Sequence, residues 1–575
     1  MSALPLVPGV YPAARPRRAE VGLPRTDVCG FVGFEPRIRD AGSALVGAGH
    51  RYAVDVVGFQ VRLGDERVAV EAVAGLVLSR SDSAVPQPDG GSVAYALAAQ
   101  RDGAVRVVPG AVRTDVHARP PDDGLVAEQL VGPHLRLADV HVRRDGGRVF
   151  VSVLPRLAPV RCDDWAAWQL AHGAFDEADG NVLARAVRAF FANGGGRCHT
   201  APVRRVDPED ALGVATALRE LVGVPGSAEA EATGFERLVL IEEVALVDVP
   251  DLYARRSLAG PSLPLPPVDR DVCFRPCGPP RGPAVAVGLP VPGAPVFSEA
   301  QVLEAQRALV LRAAAERWRL QLLLSVPIDF DSEVGAWASP THARALAWRA
   351  ALDGATDDAG AASTALYHPW LLASDREGGP LWALPPSAFA AGIVARRDLA
   401  RGPLVAPANE AVVGAVALDR PVDDDDQGAL YAAPHHVDTF RAFPGRGLQL
   451  WGARTQSTDA WLRFLNVRRG LSAIERRMVA ALRPLVFEPN GPALWARVTQ
   501  LALTELMGHY QRGTLRGASP EEAFYVRCGD PENPPAQREL GIVLCEVGVA
   551  IAAPAEFVVF RVARTDGLLS VAEGA

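Results

Sequence analysis

The hydrophobic residues of this chain repeat with a period of two in one stretch and with the helical period elsewhere, so one architecture cannot describe all of it. The period-two residues before and after the turn Asp145-Gly146-Gly147 are Leu135, Leu137, Val140, Val142, Val149, Val151 and Val153. This alternation predicts a β-hairpin. Similar short alternations around Val54, Val68 and Val105 predict further strands, so we interpret residues 40–160 as an inserted small β-rich domain.

Helix and strand signals alternate between residues 161 and 440. Ser298-x-x-Gln301 is a capping-box pattern that predicts a long helix through Arg319, and Leu322 to Val326 then predicts a strand. Leu238 to Ile241 with Val244 to Val249 also predicts strand that ends at Pro250-Asp251. The proline- and glycine-rich residues 254–297 predict a surface loop. This alternation favours an α/β domain.

The C-terminal residues 441–575 carry clear helix boundaries and predict an α+β domain. Ser472-x-x-Glu475 predicts the start of one helix, and Asn490 followed by Pro492 predicts a second helix that stops at Gly513. Predicted strands follow at Phe524 to Cys528, Ile542 to Val549 and Phe557 to Val562.

Length and composition set the class of protein. A chain of 575 residues is too long for one core and predicts about three or four domains. Hydrophobic residues make up 49% and charged residues 22%, which suits a folded chain. The net charge of -8 argues against coating nucleic acid, because phosphate binding needs an excess of positive charge.

The first 27 residues are rich in proline and predict an extended arm, which leads into an apolar strand at Val28 to Phe34. We therefore divide the chain into four parts. They are the arm with its first core strand at 1–39, the β-rich insertion at 40–160, the α/β domain at 161–440 and the C-terminal domain at 441–575.

No motif predicts a catalytic, cofactor or metal site. Asn193 to Arg197 is interpreted as a helix-to-strand turn, since it lacks the Lys-Ser/Thr of a phosphate loop. Asp423 to Asp426 with His435-His436 is interpreted as a solvated loop, and Cys273-x-x-x-Cys277 has no second ligand pair nearby. The seven scattered cysteines are typical of reduced thiols, and no signal peptide or membrane span is predicted.

A succession of short motifs in the last part of the chain resembles the C-terminal domain of contractile tail sheath proteins, the subunits that coat phage tails and phage-tail-like injection machines. In order, these motifs are Arg454-Thr455, Phe464 to Arg469, Phe487 to Asn490, Trp495, Ala523 to Val526 and Pro554 to Arg561. Each motif is short, but their order is specific.

The resemblance extends upstream and covers most of the chain outside residues 40–160. The upstream motifs are Pro8 to Tyr11, Phe190 to Cys198, Tyr367 to Trp370, Pro385 to Ser387, Ala390 to Arg396, Asp398, Arg401-Gly402, Ala406 to Glu410 and Trp451 to Thr455.

The resemblance implies a structural subunit that polymerises as a helical lattice around an inner tube and contracts to drive that tube into a target. It also implies that terminal segments of neighbouring subunits add strands to one subunit's C-terminal sheet. The residues implied in this strand exchange are Pro8, Gly9, Val10, Tyr11, Phe557, Val558, Val559, Phe560 and Arg561. Here the arm continues with Pro12 and Pro16, which predicts a short or edge strand.

Six arginines lie in or near the sheath-like C-terminal segment, and each is either paired within its own subunit or available to the tube or a neighbouring subunit. They are Arg454, Arg468, Arg469, Arg497, Arg512 and Arg516. The implied partners are further copies of the chain, an inner tube protein, and baseplate and cap proteins, with no nucleic acid and no membrane insertion.

Two other interpretations stay open at this point. A baseplate or cap component that shares the sheath fold would carry the same motifs without polymerising, and the long insertion favours it. An enzyme acting on the cell envelope would need convergent carboxylates or a nucleophile with its base, which the sequence does not show. The expected location is the cytoplasm on synthesis, and then a phage tail or phage-tail-like particle that is released from the cell.

Overall fold

The computed structural model describes residues 24–34, 159–172, 180, 182–203, 211–227, 232–258, 291–331, 336–375, 381–432 and 434–554. Elsewhere it describes only the backbone of strands between residues 37 and 155 and between 560 and 573. The arm residues Pro8 to Tyr11, the segment Phe557 to Val559 and the pair Cys273 and Cys277 lie outside the described residues.

A nine-stranded sheet forms the centre of the fold. Its strands are, in spatial order, Val160–Cys162, Cys198–Val203, Cys29–Phe34, Leu246–Asp248, Gln321–Ser325, Thr364–His368, Asp438–Phe443, Gly447–Leu450 and Glu410–Ala411. The six strands from Cys198–Val203 to Asp438–Phe443 are parallel, and the edge strands are antiparallel. The predicted strands at 28–34 and 322–326 are confirmed, and both lie in the parallel part of this sheet.

Helices cover both faces of the central sheet, as a parallel sheet requires. They are Trp165–His172, Leu183–Ala192, Ala211–Val222, Gly234–Val239, Pro250–Tyr253 (a 3-10 turn), Glu299–Ala315, His342–Ala351, Asp358–Ala361, Pro386–Arg401 and Asp424–Leu430. Neighbouring residues Phe31 and Val32 point to opposite faces, and each belongs to a separate apolar core. The α/β prediction for this part of the chain is therefore confirmed.

The capping box at Ser298 is present, but its helix ends at Ala315 rather than at Arg319. The strand predicted within Val244 to Val249 is confirmed as Leu246–Asp248. The part predicted at Leu238 to Ile241 is wrong, because its first two residues close the helix Gly234–Val239. This helix is buried against the core on most of its surface, and a short apolar run does not distinguish such a helix from a buried strand.

Helix Leu183–Ala192 crosses helix Pro386–Arg401 at close range. A Cβ atom on Gly392 would lie 2.4 Å from the Phe190 carbonyl oxygen, so only glycine fits there. The chain then turns at Gly194, whose φ is +92°, and enters strand Cys198–Val203. The interpretation of Asn193 to Arg197 as a helix-to-strand turn is confirmed.

All the elements described between residues 37 and 155 are strands. They are Arg37–Arg39, Leu45–Gly47, Arg51–Val54, Phe59–Leu63, Glu66–Val70, Ala72–Val77, Tyr95–Ala99, Val105–Pro109, Leu130–Val131, Leu135–Asp145 and Arg148–Pro155. Leu135–Asp145 pairs antiparallel with Arg148–Pro155, so the hairpin predicted around Gly146-Gly147 is confirmed.

Three small sheets border the central one. Arg255–Leu258 pairs with Val291–Pro295, and Asp329–Asp331 pairs with Ala336–Ala338. Leu371–Ser374 pairs with both Leu381–Leu384 and Ala417–Leu418. The region predicted as one surface loop therefore begins and ends in paired strands.

The C-terminal part mixes helices and short strands, as predicted. Its helices are Leu465–Leu482, Arg483–Leu485 (a 3-10 turn), Pro492–Gln511, Pro520–Ala523 and Pro535–Glu539, and its strands are Phe524–Arg527, Glu546–Val549, Phe560–Thr565 and Leu568–Glu573. Within the residues whose placement is described, no helix is both long and apolar enough to cross a bilayer.

The helix start predicted at Ser472 is wrong, because helix Leu465–Leu482 runs through this residue. Its hydroxyl accepts a hydrogen bond from the Arg468 guanidinium and donates one to the Arg317 carbonyl. These tertiary bonds use the side chain that the capping pattern assigned to a helix end.

Candidate assembly site in the C-terminal part

Two antiparallel strands, Phe524–Arg527 and Glu546–Val549, form the strand pair of the C-terminal part. Phe524 is buried and Val526 is partly buried against the two long helices, Leu465–Leu482 and Pro492–Gln511. Tyr525, 43% exposed, points to the opposite face. The strand pair is thus fixed to the domain by one face and leaves the other face towards solvent.

The main-chain register of the strand pair shows which groups point outwards. The Ala550 amide donates to the Ala523 carbonyl at 2.8 Å, which makes Tyr525 with Gly548 a hydrogen-bonded rung and Val526 with Val547 a non-hydrogen-bonded one. The amide and carbonyl groups of Val526 and Val547 therefore point away from the partner strand. In the described part of the chain this sheet contains two strands only, so it offers edges to which a further strand can be added.

Several large apolar side chains near the strand pair are exposed to solvent. The most exposed is Phe487, at 85%, and Leu540 and Leu544 follow at 60% and 48%. Phe487 also has a φ of +74°, a left-handed conformation that is uncommon for an aromatic residue. A strained backbone that presents an apolar ring to water is typical of a contact surface.

Helix Leu465–Leu482, which we call the clamp helix, holds the root of the N-terminal arm. Arg469 donates to the Thr26 carbonyl at 2.7 Å, and Arg476 donates to the Arg25 carbonyl at 2.7 Å. Arg476 was not among the arginines singled out from the sequence. Its position seven residues after Arg469, two helical turns along the same face, was the signal that could have found it.

Arg469 also binds helix Pro386–Arg401. Its guanidinium donates to the two carboxylate oxygens of Asp398 at 2.8 and 2.6 Å, and both side chains are buried. Burial raises the pKa of Asp398, and the Arg469 charge and its hydrogen bonds act against this rise. Arg468, which is also buried, donates to the Arg317 carbonyl at 2.8 Å.

Arg454 is buried beside strand Asp438–Phe443 of the central sheet. Its guanidinium stacks on the Tyr431 ring at 4.1 Å and contacts His436 Nδ1 at 3.0 Å. Its own amide donates to the Asp438 carboxylate at 2.9 Å. Burial and the Arg454 charge lower the pKa of His436 to about 4. Arg454, Arg468 and Arg469 thus contact groups within the subunit.

The other three arginines are exposed on the C-terminal part. Arg497 pairs with Glu488 at 2.5 Å, Arg512 contacts His509 at 3.1 Å, and Arg516 lies over the Trp461 ring at 5.7 Å. The two surface residues Phe487 and Arg497 are therefore joined through Glu488, which adjoins the strained position.

The acidic run Asp423 to Asp426 starts a short helix. Asp423 caps the helix Asp424–Leu430, and Arg441 pairs with Asp424 at 2.7 Å. No group of three or more His, Cys, Asp or Glu side chains suited to a metal ion occurs among the residues that the structure describes. The run is a helix start with an ion pair, where the sequence predicted a solvated loop.

Of the residues implied in strand exchange, only Phe560 and Arg561 belong to a described element. They begin strand Phe560–Thr565, which pairs antiparallel with Leu568–Glu573. This C-terminal hairpin is not part of the strand pair's sheet.

Comparison with known proteins gives a match in the middle of the chain. Residues 334–456 match the family described as phage tail sheath protein central domain. Over 209 residues the chain is 26% identical to a putative prophage major tail sheath protein of Pseudomonas aeruginosa (strain UCBPP-PA14). That alignment covers 32% of this chain, and the chain spans about half, 54%, of that relative.

A solved structure from a contractile particle shares the fold. A chain of the anti-feeding prophage (AFP) baseplate in the contracted state is 20% identical, with a TM-score of 0.52 over 72% of this chain and 90% of that chain. A chain of the PVC sheath complex, from an extracellular contractile injection system in the contracted state, is 23% identical, with a TM-score of 0.49 over 71% of this chain and 86% of that chain. Residues 334–456 therefore resemble the central domain of phage tail sheath proteins, and the resemblance to this family predicted from the motifs is confirmed.

Proposed function

We propose that this chain is a sheath subunit that polymerises as a helical lattice around an inner tube and contracts to drive the tube into a target. The match of residues 334–456 to the phage tail sheath central domain supports a role in a contractile particle. The observation that carries the polymerising role is the strand pair, since the main-chain groups of Val526 and Val547 point outwards and suit strand addition by another chain.

The arm and the C-terminal segment are the donors in this proposal. Pro8, Gly9, Val10 and Tyr11 of one subunit, with Phe557 to Arg561 of another, extend the strand pair of a third. Arg469 and Arg476 hold the chain at Thr26 and Arg25, so the clamp helix fixes the point from which the proposed arm starts. A main-chain connection of this kind persists while subunits rotate, because the linking residues absorb the movement.

Contacts between different surfaces of identical subunits build an open helix instead of a closed ring. The extended lattice stores free energy at assembly and relaxes to a shorter, wider one with larger contacts. Arg497, Arg512 and Arg516 are exposed and are proposed to contact the tube or a neighbouring subunit. The other proposed partners are baseplate and cap proteins, and the proposed location is a phage-tail-like particle assembled in the cytoplasm and then released.

Deletion of residues 1–23 tests the role of the arm. The deletion leaves Arg25 and Thr26 in their hydrogen bonds with the clamp helix, so the thermal unfolding of the subunit is expected to stay unchanged. Electron microscopy of the purified full chain is expected to show long hollow tubes, and the deleted chain is expected to stay monomeric. Tubes of normal length from the deleted chain would contradict the proposal.

Substitution of Val547 tests the strand pair itself. Val547→Pro removes an outward amide but no rung of the pair, so tube formation is expected to fall at least tenfold in sedimentation assays. Val547→Ala keeps the amide and is the matched control, expected to assemble normally. Equal assembly by both variants would exclude strand addition at this edge.

A non-polymerising baseplate or cap component is the second candidate. The eleven strands described between residues 37 and 155 favour it, because a large insertion restricts packing in a dense lattice. Microscopy of the purified chain separates the two functions, since a baseplate component gives discrete particles and a sheath subunit gives tubes.

A further inference from the structure

Cys528 and Cys545 lie opposite each other at one end of the strand pair. Arg527 and Glu546 are its last paired residues, and the two cysteines occupy the next position in that register. Both are partly exposed and pack beside the small apolar cluster around Trp495. Neither cysteine is used by the assembly mechanism proposed above.

The ladder places this pair where cross-strand thiols are closest. The rungs alternate from the Ala550 to Ala523 bond, so the position of Cys528 and Cys545 is of the non-hydrogen-bonded type. Such residues have Cα atoms about 4.5 Å apart, inside the range of about 4.4 to 6.8 Å that a disulfide spans. A disulfide at this position is therefore compatible with the register of the strand pair.

Asn533 fixes the strand end beside the two thiols. Its side-chain amide donates to the Leu544 carbonyl at 2.9 Å, and its Oδ1 accepts from the Leu544 amide at 2.6 Å. The Glu532 carboxylate accepts from the Gly529 amide at 2.9 Å. The turn that joins the two cysteines is therefore held from both sides.

The two thiols also interact directly. A hydrogen bond from the Cys545 thiol lowers the pKa of Cys528 and raises that of Cys545. Cys528 is consequently the first of the two to become a thiolate, which is the form that attacks a disulfide.

A second opposed pair provides a contrast within the same chain. Cys162 and Cys198 are also opposite in register, but they are 1% and 0% exposed. Burial raises the pKa of Cys198 well above its usual range. Register is thus shared by both pairs, and accessibility distinguishes them.

We propose that Cys528 and Cys545 form a redox site that closes to a cross-strand disulfide by exchange with a low-molecular-weight disulfide. The Cys528 thiolate attacks one sulfur of that disulfide and releases one small thiolate. The Cys545 thiolate then attacks Cys528 Sγ in the mixed disulfide and releases the second. The two cysteines lose two electrons and two protons, and the small disulfide is reduced to two thiols.

The closed form joins the two strands covalently at the end of the sheet. The strands can then no longer separate at Arg527 and Glu546, because the disulfide joins the next residue of each strand. The site gives the strand pair an open state under reducing conditions and a fixed state under oxidising ones. This inference holds for the single chain and does not depend on tube formation.

Oxidised glutathione tests the site on the native full-length chain. After alkylation of the remaining thiols and digestion with trypsin, peptide 528–538 is expected to be joined to peptide 539–561, since cleavage follows Arg527, Arg538 and Arg561. Two of the seven cysteines are expected to be lost to alkylation. Native chain that keeps both peptides separate, or that retains glutathione on Cys528, would overturn the proposal.

Three variants separate the site from general oxidation. Cys545→Ser is expected to leave a stable glutathione adduct on Cys528, because no resolving thiol remains. Cys162→Ser is the matched control and is expected to give the same linked peptides as the unchanged chain. The double variant Cys273→Ser/Cys277→Ser should also keep the link, and loss of the link in that variant would count against direct exchange at Cys528.

Discussion

The Arg469 guanidinium and the Asp398 carboxylate form a buried pair joined by two hydrogen bonds, which connects the clamp helix to helix Pro386–Arg401. Arg469 uses the same nitrogen, Nη2, to hold the Thr26 carbonyl at the root of the arm. One side chain therefore links three segments that are far apart in sequence.

Removal of one member of this pair is expected to destabilise the domain strongly. Arg469→Ala leaves the Asp398 carboxylate buried without its partner, which costs about 3–5 kcal/mol. Urea unfolding followed by tryptophan fluorescence measures the change. The matched control is Arg497→Ala, which breaks an exposed pair with Glu488 and is expected to cost less than about 1 kcal/mol. Similar costs for the two variants would contradict the expectation.

Substitution of Phe487 is expected to separate assembly from stability. Glycine and asparagine adopt a positive φ more readily than phenylalanine does. In Phe487→Gly and Phe487→Asn the free energy of unfolding is therefore expected to stay unchanged or to rise by about 1 kcal/mol. Tube formation is expected to fall in both, because the exposed ring is lost. Leu311→Ala removes a side chain that is 55% exposed on helix Glu299–Ala315 and serves as the control. Normal tubes from both Phe487 variants would exclude this ring as a contact.

Two helical glycines are expected to respond in opposite directions to alanine. Gly392→Ala places a Cβ 2.4 Å from the Phe190 carbonyl oxygen and is expected to destabilise the fold by about 2 kcal/mol or more. Gly428→Ala meets no atom within 4 Å and is expected to stabilise its helix by up to about 1 kcal/mol. Thermal unfolding of the two variants measures both effects, and a stable Gly392→Ala chain would show that the helices can separate.

The stability of the fold around the central sheet is expected to depend on pH through Asp248, the last residue of strand Leu246–Asp248. Burial raises the pKa of this carboxyl to about 7, well above the value of about 4 in an unfolded chain. The folded state therefore binds the proton more tightly, and its stabilising effect is full below pH 4 and is lost as pH rises through 7. Relative to Asp248→Asn, the unchanged chain is expected to lose melting temperature between pH 4 and pH 7. A constant difference across that interval would contradict the raised pKa.

The elements with strong local signals were predictable from the sequence. The hairpin around Gly146-Gly147, the capping box at Ser298, the turn at Gly194 and the first core strand depend on nearby residues, so periodicity and turn chemistry were enough to find them. At Leu238 the helix is buried on most of its surface, so its hydrophobic residues show no helical period. At Ser472 the capping-box pattern was misleading, because the hydroxyl donates to the Arg317 carbonyl inside a longer helix.

The candidate site divides in the same way. The ordered motifs located the sheath-like segments and brought Arg469 and Phe487 to attention, because each motif consists of residues that are adjacent in the chain. The tertiary structure alone decided three other properties. They are which arginines face inwards, which amides of the strand pair point outwards, and that Arg476 holds the arm. These properties depend on contacts between residues up to 451 positions apart, and local pattern carries no information about which distant groups a side chain will reach.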